Sequence, residues 1–372
     1  MAELIRREIV QSRGRWRAIL PQPLANWLAK RALENQPALG IADSFLGCGN
    51  PGLLQSFAHR LSYLHDSPGA QQIARTWLGP SGPLSELREM AEHWSDPRID
   101  LLRHLAPVIP SAALDLIERF VDGSTLDQLK PRECQVRDTA MSLLRKLAWF
   151  PEHFRRSALL LSRFVQAGMR DGDRHQDNAH LEELFWFALS GTRADAKQRL
   201  ALVEELVSAP DGSTSECGLM ALRGMLKAGD FTSASDFSFG GRAFDYGWEP
   251  ATLTDYQDWY GGALEIAKRL ALSNSPLRAA ARQAIAEHFR DIWCFGQVFN
   301  QLEAAALAIA TQAHWPEGWI AVRETIQIPA ACCRDSGVGD QGRTPRLERV
   351  RLGPSGRGTA SGGPPQAPSR SA

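Results

Sequence analysis

Apolar residues recur along most of this chain at the spacing of a helix face. In residues 154–165, Phe154, Ala158, Leu161 and Val165 fall at i, i+4, i+7 and i+11, the stripe that a helix of 3.6 residues per turn turns toward its neighbours. The same geometry rotates Arg163 roughly 200° away from Leu161 and puts it on the solvent side. Segments of this kind continue to about residue 327. Period-two alternation of β-branched and aromatic residues, the mark of strands, is missing, so the pattern predicts an all-α chain.

The punctuation between stripes predicts where the helices start. Pro110 and Ser111 precede Leu114, Ile117, Phe120 and Val121, and Asp122-Gly123 ends that segment. Thr192 to Asp195, Ser213 to Glu216 and Thr252 to Asp255 each have the spacing of a capping box, in which a hydroxyl accepts from an early backbone N–H and a carboxylate reaches back. They would open helices carrying Leu200, Val203 and Val207, then Leu219, Leu222 and Leu226, then Trp259, Ala263, Ile266 and Leu270. Ser275-Pro276 places a cap before a residue preset for a first helical turn, leading into Ile285 to Phe289. Val298, Leu302, Ala305 and Ile309 form a further stripe.

Helices of this length joined by short polar turns stack most simply as antiparallel pairs. The expected architecture is an irregular α-solenoid, a helical-repeat array of HEAT, armadillo or tetratricopeptide character without an exact period, followed by a disordered C-terminal tail. The divisions are residues 1–35, an N-terminal helical segment; 36–230, the array; 231–250, an aromatic and Gly-rich loop; 251–327, the array's continuation; and 328–372, the tail. In the tail Gly, Pro, Ser and Arg replace aromatics and no apolar stripe exists, so burial would not offset the entropy of ordering.

A twenty-residue loop in a helical array is either functional or held down by its own side chains. Residues 231–250 combine Phe237, Phe239, Phe244, Tyr246 and Trp248 with Gly240 and Gly241. These five aromatics are the candidate partner-binding residues; the competing reading is an aromatic plug that closes the loop onto the helices. Of the eleven Trp residues, Trp77, Trp149, Trp186 and Trp293 are expected to fill space between helix layers.

Composition narrows the function classes. A chain of 372 residues with 44% hydrophobic content can bury a large core. Lys plus Arg equals Asp plus Glu at 42 each, so no global field recruits nucleic acid or an acidic membrane. A nucleic-acid-binding solenoid would need Arg155, Arg156, Arg163 and similar residues to line one surface. No apolar run is long enough to span a bilayer, and the first residues lack the core of a signal peptide. Cys48, Cys134, Cys217, Cys294, Cys332 and Cys333 show no C-x-x-C pairing, which fits a reducing cytoplasm.

The motifs that could carry chemistry are incomplete. Residues 47–52, GCGNPG, have the spacing of a dinucleotide-binding glycine loop, but no strand precedes it and Pro51 removes a donor, so a turn between helices is expected. Asp171, Asp173, His175, Asp177 and Glu182 resemble a calcium loop, yet Gln176 stands where glycine is required. His175, His180, Glu182 and Glu183 do not form a zinc helix. His65 and Asp66 could act as an acid–base pair, but adjacent side chains diverge, which favours a cap or turn role. No catalytic group, metal or cofactor is expected on these grounds. A hidden enzyme would require perturbed Asp, His and Cys side chains to converge in one pocket.

Residues 8–33, EIVQSRGRWRAILPQPLANWLAKRAL, and 53–78, LLQSFAHRLSYLHDSPGAQQIARTWL, resemble the region following the nucleotide-binding core of bacterial STAND-type NTPases, signalling ATPases akin to NACHT and NB-ARC switches. Residues 181–199, LEELFWFALSGTRADAKQR, resemble a later turn of their helical C-terminal region. The likeness extends loosely over residues 3–327. It implies a ligand-sensing or protein-binding module, in a family whose whole proteins oligomerise with ATP in antiphage defence or regulation. The chain contains no G-x-x-x-x-G-K-[ST] loop, so the resemblance implies the sensor without its motor. The expected partner is a protein or other macromolecule on the concave helical face.

Overall fold

The apolar stripes become helices that share one core. The computed structural model describes the chain except residues 1, 14–15, 20, 92–95, 97, 131–134, 172–175, 233–237 and 328–372. The elements are α1 (Ala2–Arg6), β1 (Val10–Arg13), β2 (Trp16–Ile19), α2 (Gln22–Asn35), α3 (Ala38–Leu46), α4 (Pro51–Leu61), α5 (Pro68–Leu78), α6 (Leu87–Met90), α7 (Arg98–Leu105), α8 (Pro110–Asp122), α9 (Gln135–Leu147), α10 (Pro151–Asp171), α11 (Gln176–Glu182), α12 (Ala196–Val207), α13 (Gly212–Leu226), α14 (Leu253–Leu272), α15 (Arg278–Phe295), α16 (Phe299–Gln312) and α17 (Pro316–Ile326). A single apolar cluster runs from Leu33 to Ala321. The expected disordered tail lies outside the described residues. Among those described, no helix is long and apolar enough to cross a membrane.

The all-α expectation, and with it the helical reading of residues 1–35, needs one correction. Val10 pairs with Ile19 and Arg13 with Trp16 in an antiparallel hairpin. Strands of four residues are too short for their alternation to stand out beside helical stripes.

The α10 stripe is as expected, with Phe154, Ala158, Leu161 and Val165 buried. The helix nevertheless has no wide solvent face. It packs against α8, α9, α11 and α13, and Ser157, Leu160, Ser162, Phe164, Gln166 and Ala167 are buried as well. Arg163, expected in solvent, is half-buried for this reason.

Capping follows local hydrogen bonding more closely than motif spacing. The box at Thr252 forms, with its hydroxyl accepting from Asp255 N and the Asp255 carboxylate accepting from Thr252 N. The other two boxes are misplaced. Asp195, not Thr192, caps α12 and pairs reciprocally with Gln198. Asp211, not Ser213, caps α13 by accepting from Thr214 N. Ser275 Oγ does accept from Leu277 N at 3.2 Å, but α15 begins only after it, at Arg278. In GCGNPG, Gly47 ends α3 and Asn50 caps α4 by accepting from Leu53 N, so the glycine loop is the expected interhelical turn.

Candidate functional site

Residues 186–195 and 238–250 leave the helical pattern, and the chain brings them together. Leu189 and Gly191 adopt left-handed φ values of 57° and 64°, and Gly247 lies at 98°. Gly191 N donates to Tyr246 O at 2.8 Å and Trp248 N to Thr192 O at 2.7 Å, making a short parallel bridge between Thr192 and Gly247. A Cβ at Gly247 would stand 2.3 Å from Thr192 O, so only glycine permits this approach. Outside the bridge, Arg193 pairs with Asp245, which also accepts from Trp149 Nε1 at 3.1 Å. Arg193 is the main cause of the lowered Asp245 pKa.

Behind the bridge lies Arg199, whose side chain is fully buried. On α12 it occupies the apolar phase with Leu202, Val203 and Leu206, all buried. Its guanidinium donates to Trp186 O at 2.7 Å, Ala194 O at 2.9 Å and Thr192 O at 3.2 Å. It also lies over the rings of Trp259 at 5.0 Å and Trp248 at 5.6 Å, where the π faces attract a cation. Burial pushes its pKa down to about 9, which still leaves it charged at neutral pH. Trp248 stacks on Trp259, and Phe187 contacts Tyr256, Trp259 and Tyr260. One cation thus satisfies three carbonyls of a non-helical segment that water cannot reach.

The five aromatics singled out from the sequence separate in space. Phe239 is buried and packs on Phe244. Phe244 is half-buried and stacks on Trp149 with ring centroids 4.4 Å apart. Trp248 joins the Arg199 cluster. These three form the plug, with only Tyr246 exposed, at 40%; Phe237 lies outside the described residues. Of the four Trp residues expected between layers, Trp77 and Trp186 are buried, whereas Trp149 and Trp293 are half-buried. Arg199 is the residue that sequence reasoning missed, and the pairing of Trp149 with Phe244 and Asp245 is the contact it did not foresee. Arg199 had a signal, being a cation in register with an apolar stripe.

Among the described residues, the groups singled out from the sequence are not brought together. Asp66 pairs with Lys30 at 2.6 Å, while the Nδ1 of its neighbour His65 is buried without a partner. Burial, then Arg242, lowers the His65 pKa, so the two residues form a turn and not an acid–base pair. Burial pushes the Cys217 thiol up to about 12, far from a nucleophilic thiolate. The calcium-like stretch falls largely on residues 172–175, outside the described part, and no His, Cys, Asp and Glu group among described residues could hold a metal ion. Arg155 pairs with Glu205, and Arg156 with Asp115 and Glu118, so carboxylates interrupt that basic face. The groove between α14 and α16, of about 230 Å³, is lined by Leu264, Asn300, Gln301 and an ion-paired Glu265 and Lys268. It has no unbalanced charge.

The chain matches no family model, no curated protein and no solved structure.

Proposed function

We propose that this protein is a non-catalytic, cytoplasmic helical-array module that binds a protein partner or senses a ligand, the sensor part of a STAND-type signalling NTPase. The packing of α12 on α13 and α14 on α15, with α14 also on α16 and α15 on α17, supports a layered solenoid, in which each helix pair covers only its neighbours. One observation carries the binding role. Helix α17 buries Gly318, Ala321 and Thr325 while leaving Trp319, Ile320 and Ile326 between 52% and 77% exposed. Large apolar side chains exposed along one helix mark an interaction surface, and Trp is among the residue types most enriched in binding hot spots.

The partner that fits such a face is a further helical layer of a protein that carries the phosphate-binding loop this sequence lacks. The test is co-expression with the product of a neighbouring reading frame containing G-x-x-x-x-G-K-[ST], read by size-exclusion chromatography with light scattering. One complex is expected, and Trp319→Arg should weaken it by about 2 kcal/mol or more. Separate elution of the two wild-type chains, or a gene neighbourhood without such a frame, would overturn the reading. Calorimetry of the isolated chain with ATP should show no binding, because no Lys-bearing loop cradles the phosphates; micromolar affinity would contradict the sensor-only role.

A further inference from the structure

Residues 239–242 form a turn that is seated between the ends of α4 and α7, a feature independent of the exposed α17 face. Arg242 N donates to Phe239 O at 3.1 Å and closes the turn, with Gly240 inside it at φ +59°. A Cβ at Gly240 would come within 2.4 Å of Ser62 O and 2.8 Å of Pro107. The turn can therefore sit this low only with glycine there. Two anchors hold it. Gly241 N donates to Ser62 O at 2.9 Å, and Arg242 donates through Nε to Pro107 O at 2.5 Å and through Nη2 to Val108 O at 3.4 Å. Phe239 is buried at the foot of the turn, and Arg242 is half-buried.

We propose that this turn is an acid-released latch, in which protonation of His65 expels residues 239–242 from their seat and exposes Phe239. The geometry places a titratable ring against the seat. His65 lies between α4 and α5, three residues beyond Ser62, and its Nδ1 is buried without a partner. That nitrogen is 3.3 Å from where a Cβ on Gly241 would stand, so the ring lies against the turn. A neutral imidazole needs one acceptor for its single proton, which Nε2 can carry. An imidazolium donates from both nitrogens, and one donor would then be buried without an acceptor beside the Arg242 guanidinium.

The charges that act on the ring are Arg242 and Asp66. Asp66 favours the proton, but Lys30 of α2 already holds its carboxylate at 2.6 Å. From α5 comes the neutral Gln71 amide, which donates to His65 O at 2.8 Å. Burial, and then Arg242, accordingly hold the His65 pKa below 6.5. A ring that resists the proton in its seat and accepts it once the turn has left shifts the equilibrium toward release as pH falls. The latch is thus fully closed above 6.5 and weakens below it. The bridge at Gly247 is made by backbone groups and should not respond, so the tip opens while the base of the loop stays in place.

Hydrogen exchange of the full chain, read by NMR with each amide compared with its own intrinsic rate at the same pH, tests the latch. Protection of the Gly241 amide should fall about tenfold between about pH 7.5 and 5.5, while that of the Trp248 amide, which donates to Thr192 O, stays unchanged. His65→Gln should make Gly241 protection independent of pH. Asp66→Asn removes a charge that favours the imidazolium and should move the midpoint to lower pH. His59 and His104 meet on α4 and α7 with ring centroids 5.0 Å apart, each three residues before an anchoring carbonyl. His104→Gln should nevertheless keep the full pH dependence at Gly241. A parallel 1H–13C titration reads the His65 pKa directly. Constant Gly241 protection in the wild type, the same loss in His65→Gln, abolition of the loss by His104→Gln, or a His65 pKa at or above 6.5 would overturn the latch. Should His65→Gln unfold, Asp66→Asn decides, and an unmoved or raised midpoint overturns the proposal.

Discussion

Leu161 and Arg199 are both fully buried, yet they hold their surroundings by opposite means. Around Leu161 the α10 helix satisfies its own backbone, and what remains is apolar packing with Phe154, Phe164 and the facing helices. The segment that Arg199 faces is not helical, and its Trp186 and Ala194 carbonyls have no helical donor, while Thr192 O has only the bridge to Trp248 N. A cation that makes three hydrogen bonds and lies against two indoles replaces the missing helix. The first solution tolerates any apolar side chain of similar volume. The second depends on one residue type, because only a guanidinium presents a planar fork of donors.

The sharpest way to break that contrast is to remove the cation. Arg199→Ala leaves Trp186 O and Ala194 O buried without a donor, leaves Thr192 O with Trp248 N alone, and opens a cavity, so a loss of about 4 kcal/mol or more is expected. Arg199→Met restores volume but not donors and should recover less than half of it. Urea unfolding measures both, with the exposed pair-forming Arg269→Ala as a control expected within about 0.5 kcal/mol. If Arg199→Met were as stable as the wild type, the junction would be an apolar core like the other.

The apolar side is tested by Leu161→Ala, expected to cost about 2–5 kcal/mol through transfer and cavity terms. Arg163→Ala, on the half-buried flank of the same helix, should cost at most about 1 kcal/mol, chiefly through the packing of its aliphatic stem. Equal losses from the two would place a specific contact on the Arg163 side.

Acid sensitivity is a smaller effect. Burial lowers the pKa of His104, His153 and His288 from 6.5. In each case the unfolded chain binds more protons between the folded value and 6.5, so stability is full above that range and declines as pH falls through it. Burial raises the Glu182 carboxyl from 4.5, which works in the opposite sense, since its contribution is present below 4.5 and lost as pH rises. The difference between the wild type and His288→Gln isolates one histidine. Thermal scans from pH 7.5 to 5 should show a shallower decline for the variant; parallel curves would mean that His288 protonates as freely in the fold as in water.

What was legible in the sequence divides along the same line. Helix stripes are local, so the α8 boundaries and the buried faces of α10 and α16 could be read from periodicity. The junction is not local. Nothing near Gly247 says that Thr192 will lie against it, and the plug at Phe244 needs Trp149, ninety-five positions away in sequence. Arg199 carried a signal that went unread, since it is in phase with Leu202, Val203 and Leu206 and not with the expected Leu200.

The smallest effect concerns the caps, where a spacing rule and a structure disagree about single residues. The spacing Ser213 to Glu216 suggests a capping box, but the helix already begins at Gly212, because Asp211 accepts from Thr214 N at 2.9 Å and from the hydroxyls of Ser213 and Thr214 at 2.7 and 2.8 Å. The Ser213 and Thr214 side chains are the main reason that the Asp211 carboxyl is pushed down to about 2. That stabilisation is present above the usual carboxylate range and lost only as pH falls toward 2. A carboxylate also complements the positive helix N-terminus better than a hydroxyl does. Asp211→Ala should therefore cost about 1 kcal/mol. Ser213→Ala removes one donor to an exposed carboxylate that water can replace, and should cost no more than about 0.5 kcal/mol. Denaturant midpoints at pH 7 rank the two, and a larger loss at Ser213 would restore the cap to the position that spacing alone had given it.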